Sequence, residues 1–408
     1  MEKIERKIDM IDNEIYHINE HIKKELNNEF KGSERKKTVI LDDGKKYLLK
    51  LSDPIREKGR NLSYINNAYS EYLGCKIAKS IGLPVQNVIL GNYTYINKDG
   101  KTNTRPACLC EDLRGKGEKL LEVDTLSLSN YEDTSKEISF NIINNKIAHI
   151  KDIDIEKTKE FYYNQFIFDA LVGNTDRHNG NWGVLTDEYS TYTKVAPIYD
   201  CGSSLLPLVG DNELSLKNKD NMYLNIYSVI TDNGKKINYK DFLINVRNKD
   251  VDNALLRIIP KIDLEEINNI IINTPDFSNK RGLMYSELLN KRYNNILVPA
   301  LQNIFEINKS NFDDKDYDLY LFYRDNIKQI SDLDFYKKTT VNICDKEYEI
   351  IRINKKYAIF VNEDICTGLL PIRSNNEEIA KAINVLCKKD DNFIQKIHEY
   401  KEEGKVKE

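Results

Sequence analysis

No run of apolar residues in this chain approaches the length of a bilayer span, and no CxxC pair occurs among its seven cysteines, at 75, 108, 110, 201, 344, 366 and 387. The first absence argues against a transmembrane helix, which needs about 20 consecutive apolar residues. The second removes the usual zinc and thioredoxin-like signatures. An odd number of thiols cannot pair fully within one chain, so a reducing, cytoplasmic compartment is expected. The charged opening Met1-Glu-Lys-Ile-Glu-Arg-Lys7 lacks the apolar core of a secretory signal, and only export without a cleaved signal stays compatible with it. Excess charge is lacking too. A net charge of -4 over 408 residues gives no broad field for direct nucleic-acid binding or for an anionic membrane, so partners must be argued from a site.

What is present is a globular composition, 40% hydrophobic and 31% charged, on a chain long enough for two or three domains. Ile4, Ile8, Ile11, Ile15, Ile18, Ile22 and Leu26 recur mostly at alternating steps of four and three. This spacing predicts an amphipathic helix over residues 1–29, either packed on the body of the chain or joining two chains, so that the protein is a monomer or a helix-mediated dimer. Thr38-Val-Ile-Leu41, the turn Asp42-Asp-Gly44 and Tyr47-Leu-Leu-Lys-Leu51 predict a β-hairpin with Lys50 inside its second strand. A helix over 64–81 carries Glu71 and stops at Gly82-Leu-Pro84. Strands are expected at 87–96 and 105–110, with Cys108-Leu-Cys110 a buried strand, because C-x-C offers a metal only two ligands.

The most informative stretch is Gly173-Asn-Thr-Asp-Arg-His-Asn-Gly-Asn-Trp182, followed by Asp200-Cys-Gly202. Asp176 precedes Asn181 by five positions. Phosphoryl-transfer sites use that spacing for a carboxylate that receives the acceptor hydroxyl's proton and an amide that ligates magnesium, with a later D-x-G aspartate as second ligand. Such chemistry demands positioning and charge neutralisation more than covalent catalysis. Asp176 is therefore the candidate base, with Arg177 and His178 beside it, and Asn181 and Asp200 are the candidate metal ligands. A buried helix over 156–172, dense with Phe161, Tyr162, Phe166, Ile167, Phe168 and Leu171, delivers the loop, and a hairpin at 182–185 and 193–198 separates Asn181 from Asp200. Glu71 is the expected partner of Lys50.

Residues 118–155 give weak helical signals only. From Tyr239 to Phe305 recurrent apolar stripes predict helices, and a polar break at 308–315 precedes a tail with strands at 341–344, 348–353 and 357–361 and a helix over 376–387.

Three blocks together resemble the HipA-like serine/threonine kinase family: Tyr47-Leu-Leu-Lys50; Asn67-Ala-Tyr-Ser-Glu71 running to Pro84; and Gly173 through Asn181 with Pro197-Ile-Tyr-Asp200. With Arg292-Tyr-Asn-Asn-Ile-Leu297 the similarity spans about residues 30 to 305. It implies an α+β, two-lobed protein-kinase-like fold, with a small β-rich N-lobe and a large, mainly helical C-lobe. The expected organisation is an N-terminal helix (1–29), N-lobe (30–113), C-lobe (114–308) and a small α+β appendage (309–408). The family's short, minimal members are matched, since little precedes residue 30.

The resemblance further implies ATP and Mg2+ as cofactors. Lys50 grips the nucleotide phosphates, Glu71 supports Lys50, and Gly32 and Ser33 lie in the phosphate loop 31–37. Glu111 and Leu113 belong to the hinge that meets adenine. Ser33 is a candidate autophosphorylation switch. The implied partners are a protein substrate with a Ser/Thr acceptor and, for a toxin of a toxin–antitoxin module, a separately encoded antitoxin. A bacterial effector role fits the same residues. Two other functions share parts of this pattern: a phosphatidylinositol kinase-like lipid kinase, which would want a basic or amphipathic membrane face, and a pseudokinase scaffold, which would not need Lys50, Asp176, Asn181 and Asp200 together.

Overall fold

The apolar alternation between residues 36 and 51 folds into the hairpin that it predicts, and a mixed sheet-and-helix body is built around it. The computed structural model describes residues 15–26, 36–52, 65–97, 99–125, 138–189, 193–211, 219–306, 333–343 and 346–371. The chain divides into two compact units, Met1–Phe242 with Glu265–Arg292, and Leu243–Leu264 with Tyr293–Glu408.

In the first unit a one-turn helix α1 (Ile18–His21) runs into strand β1 (Ile22–Leu26), which pairs antiparallel with β2 (Lys36–Leu41). This corrects the expectation of one amphipathic helix through this segment, while residues 1–14 and 27–29 lie outside the described residues. The reason lies in the spacing itself. A step of four is even, so Ile18, Ile22 and Leu26 can share one side of an extended chain as well as one side of a helix. The open edge of β2 then decides, because its backbone groups need partners and β1 supplies them. Ile18 is fully buried among Val39, Leu49, Tyr93 and Leu109.

Strands β3 (Lys46–Leu51), β4 (Val88–Ile96) and β5 (Thr102–Glu111) complete a five-stranded sheet of order β1-β2-β3-β5-β4. Its second face receives helix α2 (Asn67–Ser80), whose Ala68 and Tyr69 pack on Leu90, Cys108 and Cys110. Cys108 and Cys110 thus share one face of a buried strand and Leu109 takes the other, as period two requires. Helix α2 ends where Gly82, at φ 74°, lets the Leu83 N–H reach the Ala78 carbonyl.

After β5 the chain adds β6 (Glu118–Glu122), helices α3 (Phe140–Ala148) and α4 (Ile155–Val172), and strands β7 (Gly183–Asp187) and β8 (Thr193–Val195), giving a second sheet of order β6-β7-β8. The Asp154 side chain caps α4 by accepting from the Lys157 N–H, and residues 162–172 are buried throughout. Helix α5 (Lys219–Leu224), a hairpin of β9 (Tyr227–Asp232) and β10 (Lys235–Asn238), and α6 (Tyr239–Asn245) follow.

Helices α8 (Leu264–Ile272) and α9 (Asn279–Arg292) belong essentially to the first unit. The second unit holds α7 (Lys249–Ile258), capped by the Asn248 side chain, α10 (Val298–Glu306), and an antiparallel sheet of β11 (Lys338–Ile343), β12 (Lys346–Arg352), β13 (Tyr357–Asn362) and β14 (Ile365–Pro371). Three of these strands were expected and β14 was not. The expected helix over 376–387 lies outside the described residues. Among the described residues no helix is long and apolar enough to cross a membrane.

Candidate active site

Lys50 leaves β3 as a lysine with 5% of its side chain exposed, and a buried ammonium needs compensating charge. Its Nζ donates to Glu71 Oε2 at 2.7 Å and to Asp200 Oδ1 at 2.8 Å. Three residues from a strand, a helix and a loop, the first and last 150 positions apart, thus meet at one atom. Glu71 is fully buried and its second oxygen, Oε1, accepts the Cys201 N–H at 3.0 Å. The carboxylate therefore ties the sheet lysine to the backbone of the Asp200-Cys201-Gly202 turn. Gly74 permits this closeness: a Cβ there would come within 2.7 Å of the Cys201 Cβ.

Helix α4 ends at Gly173, which adopts φ 67°, and any Cβ on it would meet the buried Arg292 guanidinium at 2.4–2.6 Å. The loop that follows is held by its own polar groups. Asn174 Oδ1 accepts the Asp176 N–H at 3.0 Å, and Asn181 Nδ2 donates to the Asp176 carbonyl at 2.7 Å. His178 is exposed, and its Nδ1 accepts the Gly180 N–H at 3.0 Å, which closes the turn. Arg177 is buried and faces inward. It donates to both oxygens of Asp169 on α4, at 3.0 and 3.2 Å, to the Asn181 carbonyl at 2.9 Å and to the Tyr199 carbonyl. The arrangement makes Arg177 a clamp between helix, loop and strand end.

Charges across the site work against each other. Burial pushes the Asp176 carboxyl above its ordinary range and the neighbouring Asp200 adds repulsion, while His178, Arg177 and Lys236 pull it back. Burial would do the same to Asp200, but Lys50 and Lys36 outweigh it and hold that carboxyl well below the usual carboxylate range. Asp200 also stands at φ 55°, in the left-handed region where a non-glycine residue is strained.

The donor set fits a nucleotide with a hard divalent cation. Because Asn181 spends its amide nitrogen on the Asp176 carbonyl, its Oδ1 is the atom available to a metal, and with the ionised Asp200 it supplies two oxygens. Among the described residues no cluster of three or more His, Cys, Asp or Glu could hold a metal ion. At the expected hinge, the Glu111 N–H donates to the Asn87 carbonyl and its own carbonyl accepts from Gln86 Nε2. Its side chain pairs with Lys45 at 2.8 Å. No hydrogen bond joins the backbone of Leu113 to another described residue. Gly32 and Ser33 lie outside the described residues.

The HipA-like C-terminal domain model matches residues 30–259. The chain belongs to that family. It is 36% identical over 289 residues to the serine/threonine-protein kinase CtkA of Helicobacter pylori, covering 68% of this chain and 85% of that protein. The crystal structure of the Helicobacter pylori proinflammatory kinase CtkA superposes with a TM-score of 0.59 at 33% identity, over 67% of this chain and 95% of that one. A toxin–antitoxin HipA in complex with HipB and operator DNA from Shewanella oneidensis is a remote match, with 17% identity, TM-score 0.43, and coverage of 69% of this chain and 68% of that one. The fold is thus that of a two-lobed kinase, and this HipA-like chain is a kinase of the serine/threonine-protein class to which its Helicobacter relative is assigned.

Residues outside the motif complete the site. Asp169 is the acid that compensates Arg177, and a lone carboxylate inside the aromatic run of α4 was its signal in the sequence. Lys36 stands opposite Lys50 in the β2–β3 ladder and adds to the field on Asp200, a placement that only strand register reveals.

Proposed function

We propose that this HipA-like kinase uses ATP with magnesium to phosphorylate serine or threonine hydroxyls of a protein substrate in the cytoplasm. The observation that carries the reading is the joint contact of Lys50 Nζ with Glu71 and Asp200. It leaves an immobilised ammonium beside an ionised carboxylate, the pairing that aligns a triphosphate. Lys50 grips the phosphates, Leu113 offers backbone groups to the adenine, and Asn181 and Asp200 would hold magnesium. When bound, the metal supplies charge neutralisation across the phosphates. Asp176 orients the acceptor hydroxyl and receives its proton, and Arg177 and His178 keep the loop in shape around it.

Purified protein incubated with radiolabelled ATP and a host-cell lysate should label specific proteins, and Asp176→Ala should not. Equal labelling by that variant overturns the assignment. The reading extends to a toxin or effector restrained by a separately encoded partner: expression of the wild type, but not of Asp176→Ala, should arrest growth, and indistinguishable growth removes this extension. Ser33 is its proposed regulatory site. Mass spectrometry after incubation with ATP should find phosphate there, and a clean Ser33 in an active preparation rejects the switch.

A further inference from the structure

Arg292 ends helix α9 fully buried, and among the described residues only backbone carbonyls receive its hydrogen bonds. Nε donates to the Tyr223 carbonyl on α5 at 2.8 Å and Nη1 to the Leu171 carbonyl on α4 at 3.3 Å, while the buried Nη2 has no partner among those residues. By contrast the buried Lys50, Arg177 and Arg281 each face a carboxylate, that of Glu71, Asp169 and Asp211 in turn. Burial works against charge on Arg292 and lowers its guanidinium to about 9, with Tyr239 and Tyr223 opposing the fall. A cation kept in so unfavourable a place breaks a local rule, and such breaks mark functional sites.

What Arg292 holds is the start of the catalytic loop. The last carbonyls of α4 have no N–H of their own helix to accept from, so Arg292 takes that of Leu171 and the Leu205 N–H takes that of Val172 at 2.9 Å. A cation at this end also suits the helix dipole. The guanidinium fills the space beside Gly173 in which another residue would carry its Cβ, and so backs the left-handed turn at φ 67°. From that turn the chain enters Asn174, whose carbonyl accepts the Tyr239 hydroxyl at 3.0 Å and whose side chain accepts the Asp176 N–H at 3.0 Å. Asp176 follows Gly173 by three positions, so a shift of the turn is a shift of the base.

We propose that Arg292 is a positioning residue for phosphate transfer, fixing the Gly173 turn from which Asp176 is presented to the acceptor hydroxyl. This rests on the kinase reading above. The full chain is incubated with radiolabelled ATP and a host-cell lysate, and the labelling rate at saturating ATP is referred to the ATP-binding sites counted by calorimetric titration. Arg292→Lys keeps the positive charge but not the fork that spans two carbonyls, and Arg292→Ala removes both. The saturated rate should fall roughly tenfold in Arg292→Lys and roughly a hundredfold in Arg292→Ala, the scale of a misplaced catalytic group. ATP affinity should stay within about twofold of the wild type, because the loss lies in the transfer step. Methylguanidinium should restore part of the Arg292→Ala rate. Wild-type rates in both variants, a loss of ATP binding in step with the rate, or equal losses in the two variants with no restoration by methylguanidinium overturns the proposal while leaving the kinase reading intact. A wild-type preparation that labels neither lysate proteins nor itself overturns both.

Discussion

Glu71 Oε2 accepts from Lys50 Nζ at 2.7 Å, and neither side chain has more than 5% of its surface exposed. Two opposite charges so placed have left water together, and each depends on the other for compensation. Removing one is costly. Glu71→Ala strands Lys50 with Asp200 alone and frees the Cys201 N–H, so unfolding stability should fall by about 3 kcal/mol, the low end for a broken buried pair because Asp200 remains. Glu71→Gln keeps the shape, yet an amide has one acceptor oxygen for two donors, so phosphate transfer should still drop at least about tenfold. Equilibrium urea unfolding and a transfer assay check the two arms, and an unchanged transfer rate in Glu71→Gln contradicts the supporting role.

How much of this was visible in the chain depends on whether a residue's neighbours are set by chemistry or by register. Asp176, Asn181 and Asp200 stood out because their spacing has a chemical use, and Lys50 because its strand precedes an acid-bearing helix; what the structure adds is that Lys50 meets Glu71 and Asp200. Lys36 did not stand out, since opposing residues in a sheet are known only once the ladder is fixed. Strand β6 was missed because Glu118-Lys-Leu-Leu-Glu122 has only two apolar residues and becomes a strand by pairing with β7. The β9–β10 hairpin was readable in principle, as Asn233-Gly234 is a strong two-residue turn signal. The N-terminal segment misled because four-residue steps serve a strand as well as a helix.

Asp176 must be ionised to accept a proton, yet its surroundings hold its carboxyl above the ordinary value of about 4. The acid limb of kcat/KM should therefore lie at higher pH than for an unperturbed aspartate. Linkage gives a second sign. A carboxyl whose folded-state value is raised favours the folded state most fully below its unfolded value, and that contribution is lost as pH rises through the folded value. At neutral pH the ionised Asp176 thus weakens the fold that uses it. Asp176→Asn should lose about 10²- to 10⁴-fold in transfer while unfolding at equal or higher urea concentration than the wild type at pH 7. A variant both inactive and clearly less stable would show Asp176 to be a structural residue.

Arg177 and Asp169 form the other buried pair, with 3% and 1% of their side chains exposed. Burial works against charge on Arg177, but Asp169 more than restores it and raises the guanidinium above its ordinary value. Arg177→Met leaves Asp169 uncompensated inside α4 and should cost about 3–5 kcal/mol, and Asp169→Leu should cost a similar amount. The double variant removes both charges and should recover part of that loss, because the Asn181 and Tyr199 carbonyls still lose the Arg177 donor. Urea midpoints for the four proteins of this cycle measure the coupling, and additive losses would mean that the two side chains do not act as a pair.

Ile18 offers a test of the segment that departs furthest from its sequence reading. It is fully buried against Val39, Leu49, Tyr93 and Leu109, on the sheet face opposite α2. The adjoining backbone also binds the sheet: the Asn92 N–H donates to the Tyr16 carbonyl at 2.9 Å, an approach that Gly91 permits because a Cβ there would meet that carbonyl at 2.3 Å. Ile18→Ala should therefore destabilise the protein by about 2–5 kcal/mol, as truncations in a packed core do. A helix held mainly by a second chain would respond differently, with stability that rises with protein concentration. Urea unfolding of Ile18→Ala and the wild type at two concentrations about a hundredfold apart separates the cases. A loss independent of concentration places Ile18 in the core of its own chain, and a wild-type midpoint that climbs with concentration would restore the dimer.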